Sequence, residues 1–150
     1  MTTLTIPSLL EVLRSHSLDD RLADRLDPTL PDRQWMRLDS SDDFELWLIS
    51  WPAGTGTGWH DHGSASGAFT VLRGTLTEYT WDGVLHARTL NQGSGRAFKS
   101  NHIHDVANEA DEAPAVSLHA YTPRLVAMTT YELVRGHLEV TGVEKSGGQW

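Results

Sequence analysis

Most of this chain consists of short apolar runs separated by turn residues, and this pattern narrows the folds that it can adopt. From Gln34 onward the runs are rich in aromatic and β-branched residues, and Asp82-Gly83 between two alternating runs is a strong hairpin signal. About nine or ten short strands at such spacing are typical of an all-β barrel or a double-sheet jelly roll. The expected strands include residues 44–51, 69–73, 75–81, 84–90, 96–99, 102–106, 115–121 and 126–134.

The N-terminal segment has a different pattern. Apolar residues recur there at three- and four-residue intervals, which predicts helix, with Pro7 or Ser8 at the start of a first helix and Ser17 as the cap of a second. We expect these helices to pack on the outside of the β fold. The expected organisation is one domain in three parts: a helical cap (1–33), a β-barrel (34–141) and a flexible C-terminal tail (142–150).

The composition excludes several classes of function. A formal net charge of −8 argues against nucleic acid or an anionic membrane as a partner, because both require a basic surface. The chain has no cysteine, which excludes a disulfide framework, a thiolate metal site and a cysteine nucleophile. Without a bilayer-spanning apolar run or a signal-peptide pattern, we expect a cytoplasmic, soluble monomer or small homo-oligomer.

The glycine-rich segment 54–67 contains His60 and His62, two imidazoles one residue apart. In an extended segment, residues i and i+2 point to the same face, so both rings would be directed at one point while Asp61 turns away. Two nitrogens that converge in this way suit Fe(II) or Zn(II). The segment therefore predicts part of a metal site, and Asp61 is expected to accept hydrogen bonds from a neighbouring strand.

Further glycines and a second histidine block lie at characteristic distances from this pair: Gly54 six residues before His60, Gly74 twelve residues after His62, and Asn108 four residues after His104. This arrangement resembles the two motif blocks of the cupin superfamily, small β-barrels that hold a metal inside. Most cupins have a glutamate ligand at the place that Gly67 takes here. The resemblance therefore implies a double-stranded β-helix with a site of three neutral histidines, His60, His62 and His104.

His102 is a rival for the third ligand, because it shares a face with His104 in an extended strand. The four-residue spacing to Asn108 favours His104, and Asn108 is expected to stabilise the turn that follows. Three other histidines lie outside these motifs and have no expected role: His16, His86 and His137.

Three more features complete a longer pattern: Trp51 nine residues before His60, the segment Gly74-Thr-Leu-Thr-Glu78, and the row Ser117-Leu-His-Ala-Tyr121 that begins thirteen residues past His104. Over about residues 34–123 this pattern resembles the cysteine dioxygenase family of thiol dioxygenases. The resemblance implies Fe(II) bound by the three histidines and an O2-dependent conversion of a small thiol to a sulfinic acid. Animal enzymes of that family carry a cysteine that crosslinks to the active-site tyrosine, and Gly67 at that place makes the crosslink impossible here.

The chemistry of these residues agrees with that expectation. Three imidazoles leave the charge of Fe(II) uncompensated, unlike two histidines and a carboxylate. A thiolate substrate would supply the missing negative charge, and metal binding lowers the pKa of a thiol. We expect a small carboxylated thiol as substrate, L-cysteine first and 3-mercaptopropionate as the alternative. Two other interpretations stay open: a different three-histidine metal enzyme, and a cupin that binds a metal or ligand without catalysis.

Ser117, His119 and Tyr121 fall at i, i+2 and i+4, on one face of a predicted strand. Ser117 can bond to His119, which can orient the phenol of Tyr121 towards oxygen or the substrate, so these three are the candidate catalytic residues. An inward polar row is a costly way to fill a core, which favours a functional role. The following Thr122-Pro123 resembles a family segment with a cis peptide bond.

The residue that binds the substrate carboxylate has three candidates. A carboxylate prefers the forked guanidinium of arginine, which favours Arg33 or Arg37. The place of the carboxylate-binding arginine of the family falls near Gln34, and a glutamine there resembles the relatives that prefer 3-mercaptopropionate. Alternation puts Arg33, Trp35 and Arg37 on one strand face and Gln34 on the other, without indicating which face is inside.

Overall fold

The computed structural model describes residues 4–145, and in this range eleven strands follow one α-helix and a short 3-10 helix. The all-β class with a short N-terminal helical cap is therefore confirmed. In chain order the elements are α1 (Ile6–Ser17), the 3-10 helix (Leu22–Arg25), β1 (Gln34–Ser41), β2 (Phe44–Trp51), β3 (Trp59–His60), β4 (Ser66–Arg73), β5 (Leu76–Trp81), β6 (Leu85–Leu90), β7 (Gly95–Phe98), β8 (Asp105–Ala107), β9 (Ala115–Thr122), β10 (Ala127–Val134) and β11 (His137–Lys145).

The strands form two facing layers. One layer is a five-stranded sheet in the order β1-β2-β9-β4-β7. The other combines the sheets β11-β10-β3 and β6-β5-β8, which are linked by single bridges between His60 and His104 and between Gly56 and Ala107. Side chains from both layers form the main apolar core, which includes Trp51, Phe69, Leu76, Val106 and Met128.

The helical cap covers the outer face of the five-stranded sheet. Leu9 and Leu13 of α1 belong to a second apolar cluster with strand residues such as Leu46 and Leu118. Because the cap covers one face of the sheet and the second layer covers the other, β9 is buried along its whole length. Across residues 4–145, no helix has the length and apolar character needed to cross a membrane.

The helix boundaries differ from the prediction. Thr5 caps α1, because its Oγ1 accepts the Ser8 N–H at 3.2 Å, and Pro7 lies in the first turn, where no backbone donor is needed. Ser17 is the last residue of α1, and its hydroxyl donates to Leu13 O at 2.6 Å. A hydroxyl bonded to its own helix does not cap the next one, so the prediction for Ser17 is wrong.

The predicted flexible tail is wrong for residues 142–145. β11 continues through Lys145, which pairs with Ala127 of β10. The connecting turn contains Arg135 and Gly136, whose φ angles of 50° and 81° are both positive, as a type I′ hairpin requires. Arg-Gly is not among the common pairs for this turn, so the local sequence did not indicate the hairpin. The rest of the expected tail, residues 146–150, lies outside the described residues.

The expected strand at residues 102–106 is only partly formed. β8 begins at Asp105, and His104 instead pairs with His60 through an isolated antiparallel bridge. This bridge places two of the predicted metal ligands directly opposite each other in the second layer.

Candidate metal centre

The three histidines singled out by the sequence converge inside the fold. His60 ends β3, His62 follows two residues later, and His104 lies opposite His60. One ring nitrogen from each histidine lies within 4.8 Å of the other two, and the two Nε2 atoms of His60 and His62 are 3.2 Å apart. Each of these residues is at most 4% exposed.

Hydrogen bonds fix the tautomers of two of these rings. His60 Nδ1–H donates to Gly58 O at 2.9 Å, and His104 Nδ1–H donates to Glu78 Oε2 at 2.7 Å. In each ring, Nε2 therefore carries the lone pair. Burial is the largest cause that lowers the pKa of all three histidines below the ordinary 6.5, so the rings are neutral near pH 7. Neutral imidazoles at this spacing fit a divalent metal such as Fe(II) or Zn(II).

Asp61 faces away from the histidine cluster, as predicted. Its Oδ1 accepts backbone N–H groups from Gly63 at 2.9 Å and from Thr129 on β10 at 3.2 Å. Its Oδ2 accepts the Tyr131 hydroxyl at 2.6 Å. The carboxylate thereby ties the segment that carries His60 and His62 to β10.

Glu78 on β5 is a buried carboxylate to which the sequence analysis assigned no separate role. Besides the bond from His104, it accepts Arg96 Nε–H at 2.6 Å and His102 Nε2–H at 3.3 Å. Glu78, His102 and His104 could also hold a metal as a second group of three. The guanidinium at Glu78 opposes a cation there, so the first group is the better site. The signal for Glu78 was alternation, which puts it on the same strand face as buried Leu76.

Phe98 of β7 forms an aromatic wall beside the ligands. Its ring stacks on His62 with centroids 4.7 Å apart and on His102 at 5.2 Å, with interplanar angles of 23° and 18°. Gly67 leaves room for this ring, because a Cβ atom there would lie 2.4 Å from Phe98 Cζ and 3.0 Å from Tyr121 Cδ1. The Phe98 ring therefore occupies the space next to Gly67, the place at which the animal enzymes carry the crosslinking cysteine.

The row on β9 lies on the inward face, as the alternation predicts. Trp51 Nε1–H donates to Ser117 Oγ at 2.7 Å, and Ser117 Oγ is hydrogen-bonded to His119 Nε2 at 2.7 Å. His119 Nδ1 lies at the long distance of 3.5 Å from the Tyr121 hydroxyl oxygen. Burial is the main cause that lowers the pKa of His119 to about 3 and raises that of Tyr121, so the imidazole is neutral and the phenol keeps its proton.

A small cavity of about 30 Å³ joins these residues to Arg33. Its lining consists of Arg33, Ile49, Trp51, Thr57, His60, His104, Val106, His119, Tyr121 and Met128. Arg33 also lines an outer groove of about 490 Å³ with Asp32, Trp35, Thr55 and Gly56. Arg33 is therefore common to the inner cavity beside the histidines and the outer groove.

Arg33, which immediately precedes β1, points towards the histidine site, and Gln34 does not. The Arg33 guanidinium carbon lies 4.7 Å from the Trp35 ring centroid and 5.0 Å from that of Trp51. Within residues 4–145, Arg33 Nη1 is buried and has no hydrogen-bond partner. Burial lowers the pKa of Arg33, yet a guanidinium stays charged in proteins. Gln34 points to the other face, where its Oε1 accepts the Asp27 N–H at 3.3 Å.

Arg37 shares the inward direction of Arg33 but lies farther along β1. Its side chain is 53% exposed, 4.0 Å from Glu45 and 5.9 Å from the Trp47 ring centroid. Arg37 is not part of the cavity lining. Of the three candidates for the substrate carboxylate, the structure brings Arg33 to the histidine site.

Two smaller expectations are confirmed. Asn108 stabilises the turn after His104, because its Nδ2 donates to Trp51 O and Ala113 O while its Oδ1 accepts the Ala110 N–H. The peptide bond between Thr122 and Pro123 is cis.

Solved structures with this architecture include cupins and other double-stranded β-helix proteins. A cupin superfamily protein from Desulfitobacterium hafniense has a TM-score of 0.60 and 17% identity, covering 69% of this chain and 88% of that one. A double-stranded β-helix protein from Klebsiella pneumoniae has a TM-score of 0.58 and 15% identity, covering 79% and 92%. These similarities establish the fold, which is the predicted cupin double-stranded β-helix.

The chain belongs to the cysteine dioxygenase type I family, whose model matches residues 4–133. Cysteine dioxygenase type 1 of Rattus norvegicus is 28% identical over 104 residues, covering 63% of this chain and 52% of that protein. The Homo sapiens protein of the same name is 28% identical over 105 residues, with the same coverage. The chain therefore spans about half the length of the curated relatives it matches. The family inferred from the motifs is confirmed.

Proposed function

We propose that this chain is a mononuclear non-heme Fe(II) thiol dioxygenase that inserts O2 into a small carboxylated thiol and releases a sulfinic acid. L-cysteine is the first candidate substrate. The observation that carries the proposal is the placement of buried, neutral histidines and one guanidinium, Arg33, around the same cavity. Membership of the cysteine dioxygenase type I family supports the reaction class.

His60, His62 and His104 would hold the metal through their convergent ring nitrogens. When bound, Fe(II) would supply the redox chemistry that allows O2 to react with a thiolate. Because the three rings are neutral, the ligand set itself does not compensate the charge of a divalent ion. The protein therefore favours an anionic sulfur over a neutral donor in the cavity.

Arg33 would bind the carboxylate of the substrate. Among the described residues, Arg33 Nη1 is buried without a hydrogen-bond partner, and so is Nε1 of the adjoining Trp35. A buried donor without a partner is costly, and a carboxylate would relieve that cost with charge-assisted hydrogen bonds. The anion would then lie on the groove side of the cavity, with the thiol directed towards the histidines.

Tyr121 would donate a hydrogen bond to the reacting atoms. Trp51 donates to Ser117. In this proposal the Ser117 hydroxyl would then donate to His119 Nε2, and His119 Nδ1–H would donate to the Tyr121 oxygen. The Tyr121 oxygen is the last acceptor of this chain, so its own proton is left to point into the cavity. In this proposal His119 and Ser117 are positioning residues, since they act through the phenol.

A second candidate substrate is 3-mercaptopropionate. None of the described residues that line the cavity is acidic, so the lining offers no carboxylate to pair with the ammonium group of cysteine. A substrate with a thiol and a carboxylate but no amine satisfies the same histidines and Arg33.

The test is O2 consumption by the Fe(II)-loaded protein with L-cysteine, 3-mercaptopropionate and cysteamine, together with detection of the sulfinate. We expect coupled turnover with at least one carboxylated thiol and little with cysteamine, which has no carboxylate. His60→Ala should lose stoichiometric iron. Arg33→Gln should raise KM about 10- to 150-fold, because hydrogen bonds to charged groups contribute roughly 1.5–3 kcal/mol. Arg37→Gln is the matched control and should change KM less than about twofold, since an exposed ion pair contributes little.

Two outcomes would contradict the proposal. Tight iron binding without O2 uptake on any thiol would indicate a different three-histidine enzyme or a metal-binding protein without catalysis. Equal KM changes in the Arg33 and Arg37 variants would show that Arg33 does not bind the substrate.

A further inference from the structure

Glu78 is a fixed negative charge directly behind one candidate metal ligand. It is 2% exposed and accepts hydrogen bonds from three side chains, Arg96, His102 and His104. Burial opposes ionisation of this carboxyl, but the bonds from His102, His104 and Arg96 outweigh that effect and hold its pKa well below its usual range. The carboxylate faces the ring nitrogen of His104 that lies away from the histidine cluster.

The hydrogen bond at 2.7 Å determines how His104 binds a metal. It fixes the ring orientation, keeps the proton on Nδ1 and makes the opposite Nε2 a stronger donor. The bond from Arg96 at 2.6 Å holds the other carboxylate oxygen, so Glu78 cannot rotate without losing a partner. Behind an otherwise neutral ligand set, this carboxylate places a negative charge next to His104.

His62 is held in a different way. Within the described chain its Nδ1 is buried without a hydrogen-bond partner, so no bond of that kind sets its ring plane. The ring instead stacks on Phe98 at 4.7 Å, and Phe98 stacks in turn on His102 at 5.2 Å. His102 is bonded to Glu78. A continuous set of contacts therefore connects Glu78 to His62 through His102 and Phe98.

We propose that Glu78 is a positioning residue that orients two of the three candidate metal ligands, His104 by a direct hydrogen bond and His62 through the His102–Phe98 stack. This inference rests on the metal site of the proposed function. It assigns a role in metal affinity to three residues outside the ligand set: Glu78, His102 and Phe98.

The test is a Co(II) titration of the metal-free full chain, without thiol or O2, in competition with a chelating dye. Co(II) reports the ligand field through its visible bands. Glu78→Gln keeps the size of the side chain but loses the charge, and its NH2 group must face one of three donors. We expect Co(II) affinity to fall about 10- to 100-fold, the usual effect of losing such a partner, with a shift of the visible bands.

Glu45→Gln is the matched control, because Glu45 is also a buried carboxylate, 5% exposed, and bonds Trp47 Nε1–H and the Leu125 N–H away from the ligands. We expect its Co(II) affinity within twofold of the parent chain and its spectrum unchanged. Unchanged affinity and spectrum in Glu78→Gln, or an equal loss in the control, would overturn the proposal.

A second variant covers the case in which Glu78→Gln does not fold. His102→Gln keeps an N–H for Glu78 but removes the ring that stacks on Phe98, and the His102 side chain is 20% exposed, so its replacement is tolerated more easily. We expect Co(II) affinity about 2- to 12-fold weaker, and affinity equal to the parent chain would overturn the proposal in that case. A parent chain that binds no Co(II) would instead refute the metal site of the proposed function.

Discussion

A Cβ atom at Gly67 would collide with the aromatic wall of the metal centre, and the size of this collision predicts the effect of Gly67→Ala. The added carbon would lie 2.4 Å from Cζ and 2.7 Å from Cε2 of Phe98, and 3.0 Å from Cδ1 of Tyr121. Carbon atoms normally pack at roughly 3.5–4.0 Å, so the Phe98 ring must move by about 1 Å or more. The ring cannot do this freely, because it is stacked between His62 and His102.

Overpacking of this kind costs about 1–3 kcal/mol of unfolding free energy. For a chain of 150 residues this corresponds to a Tm lower by about 2–12 °C. The assay is urea and thermal unfolding of the metal-free chain, followed by circular dichroism. Gly142→Ala is the control, because its Cβ would meet Thr130 Oγ1 at an ordinary 3.4 Å and its φ lies outside the left-handed region. We expect that variant to stay within about 0.5 kcal/mol of the parent.

A double-mutant cycle isolates the cause. Phe98→Leu removes the ring atoms that the new Cβ would meet, so Gly67→Ala should cost less in that background, with a coupling of about 0.5–3 kcal/mol. Additive effects of the two substitutions, or a Gly67→Ala chain as stable as the parent, would refute this reasoning.

Two further predictions concern the site and its support. Tyr121→Phe should leave iron bound but slow turnover or uncouple O2 uptake from sulfinate formation, because the proton donated into the cavity is lost; unchanged coupled kinetics would remove Tyr121 from the mechanism. Asp61→Asn should lower the unfolding free energy by about 1–3 kcal/mol, since an amide oxygen cannot serve Gly63, Thr129 and Tyr131 together. Tyr131→Phe removes one of those bonds and should cost less than Asp61→Asn in urea unfolding, and the reverse order would contradict this account.

The strand pattern and the histidine spacings were readable from sequence because both are local properties. Residues 44–51 were predicted as a strand and form β2 over that range, since alternation and β-branched content decide strand formation there. The i, i+2 rule brought His60 and His62 together and aligned Ser117, His119 and Tyr121. The motif spacing then selected His104, which only the bridge to His60 brings into contact.

Local patterns failed where two alternatives have the same period. The helical cap covers one face of β1 and the second layer covers the other, so apolar side chains occur on both faces next to polar ones. Alternation alone therefore left Arg33 and Gln34 as equal candidates. The hairpin at Arg135 and Gly136 was missed for a related reason, since its positive φ angles are imposed by strand pairing and not by a typical turn pair.

Local sequence patterns were enough to predict the all-β class, the cupin resemblance and the histidines that can converge on a metal. The tertiary structure alone decided that Arg33 lines the cavity, that Phe98 packs over Gly67 and that Glu78 lies behind His104. Phe98 is 31 positions from Gly67 and Glu78 is 26 positions from His104, and each pair meets because distant strands pair in one sheet, β4 with β7 and β5 with β8. The pairing of distant strands has no local sequence signature, because it depends on which faces of those strands are buried together.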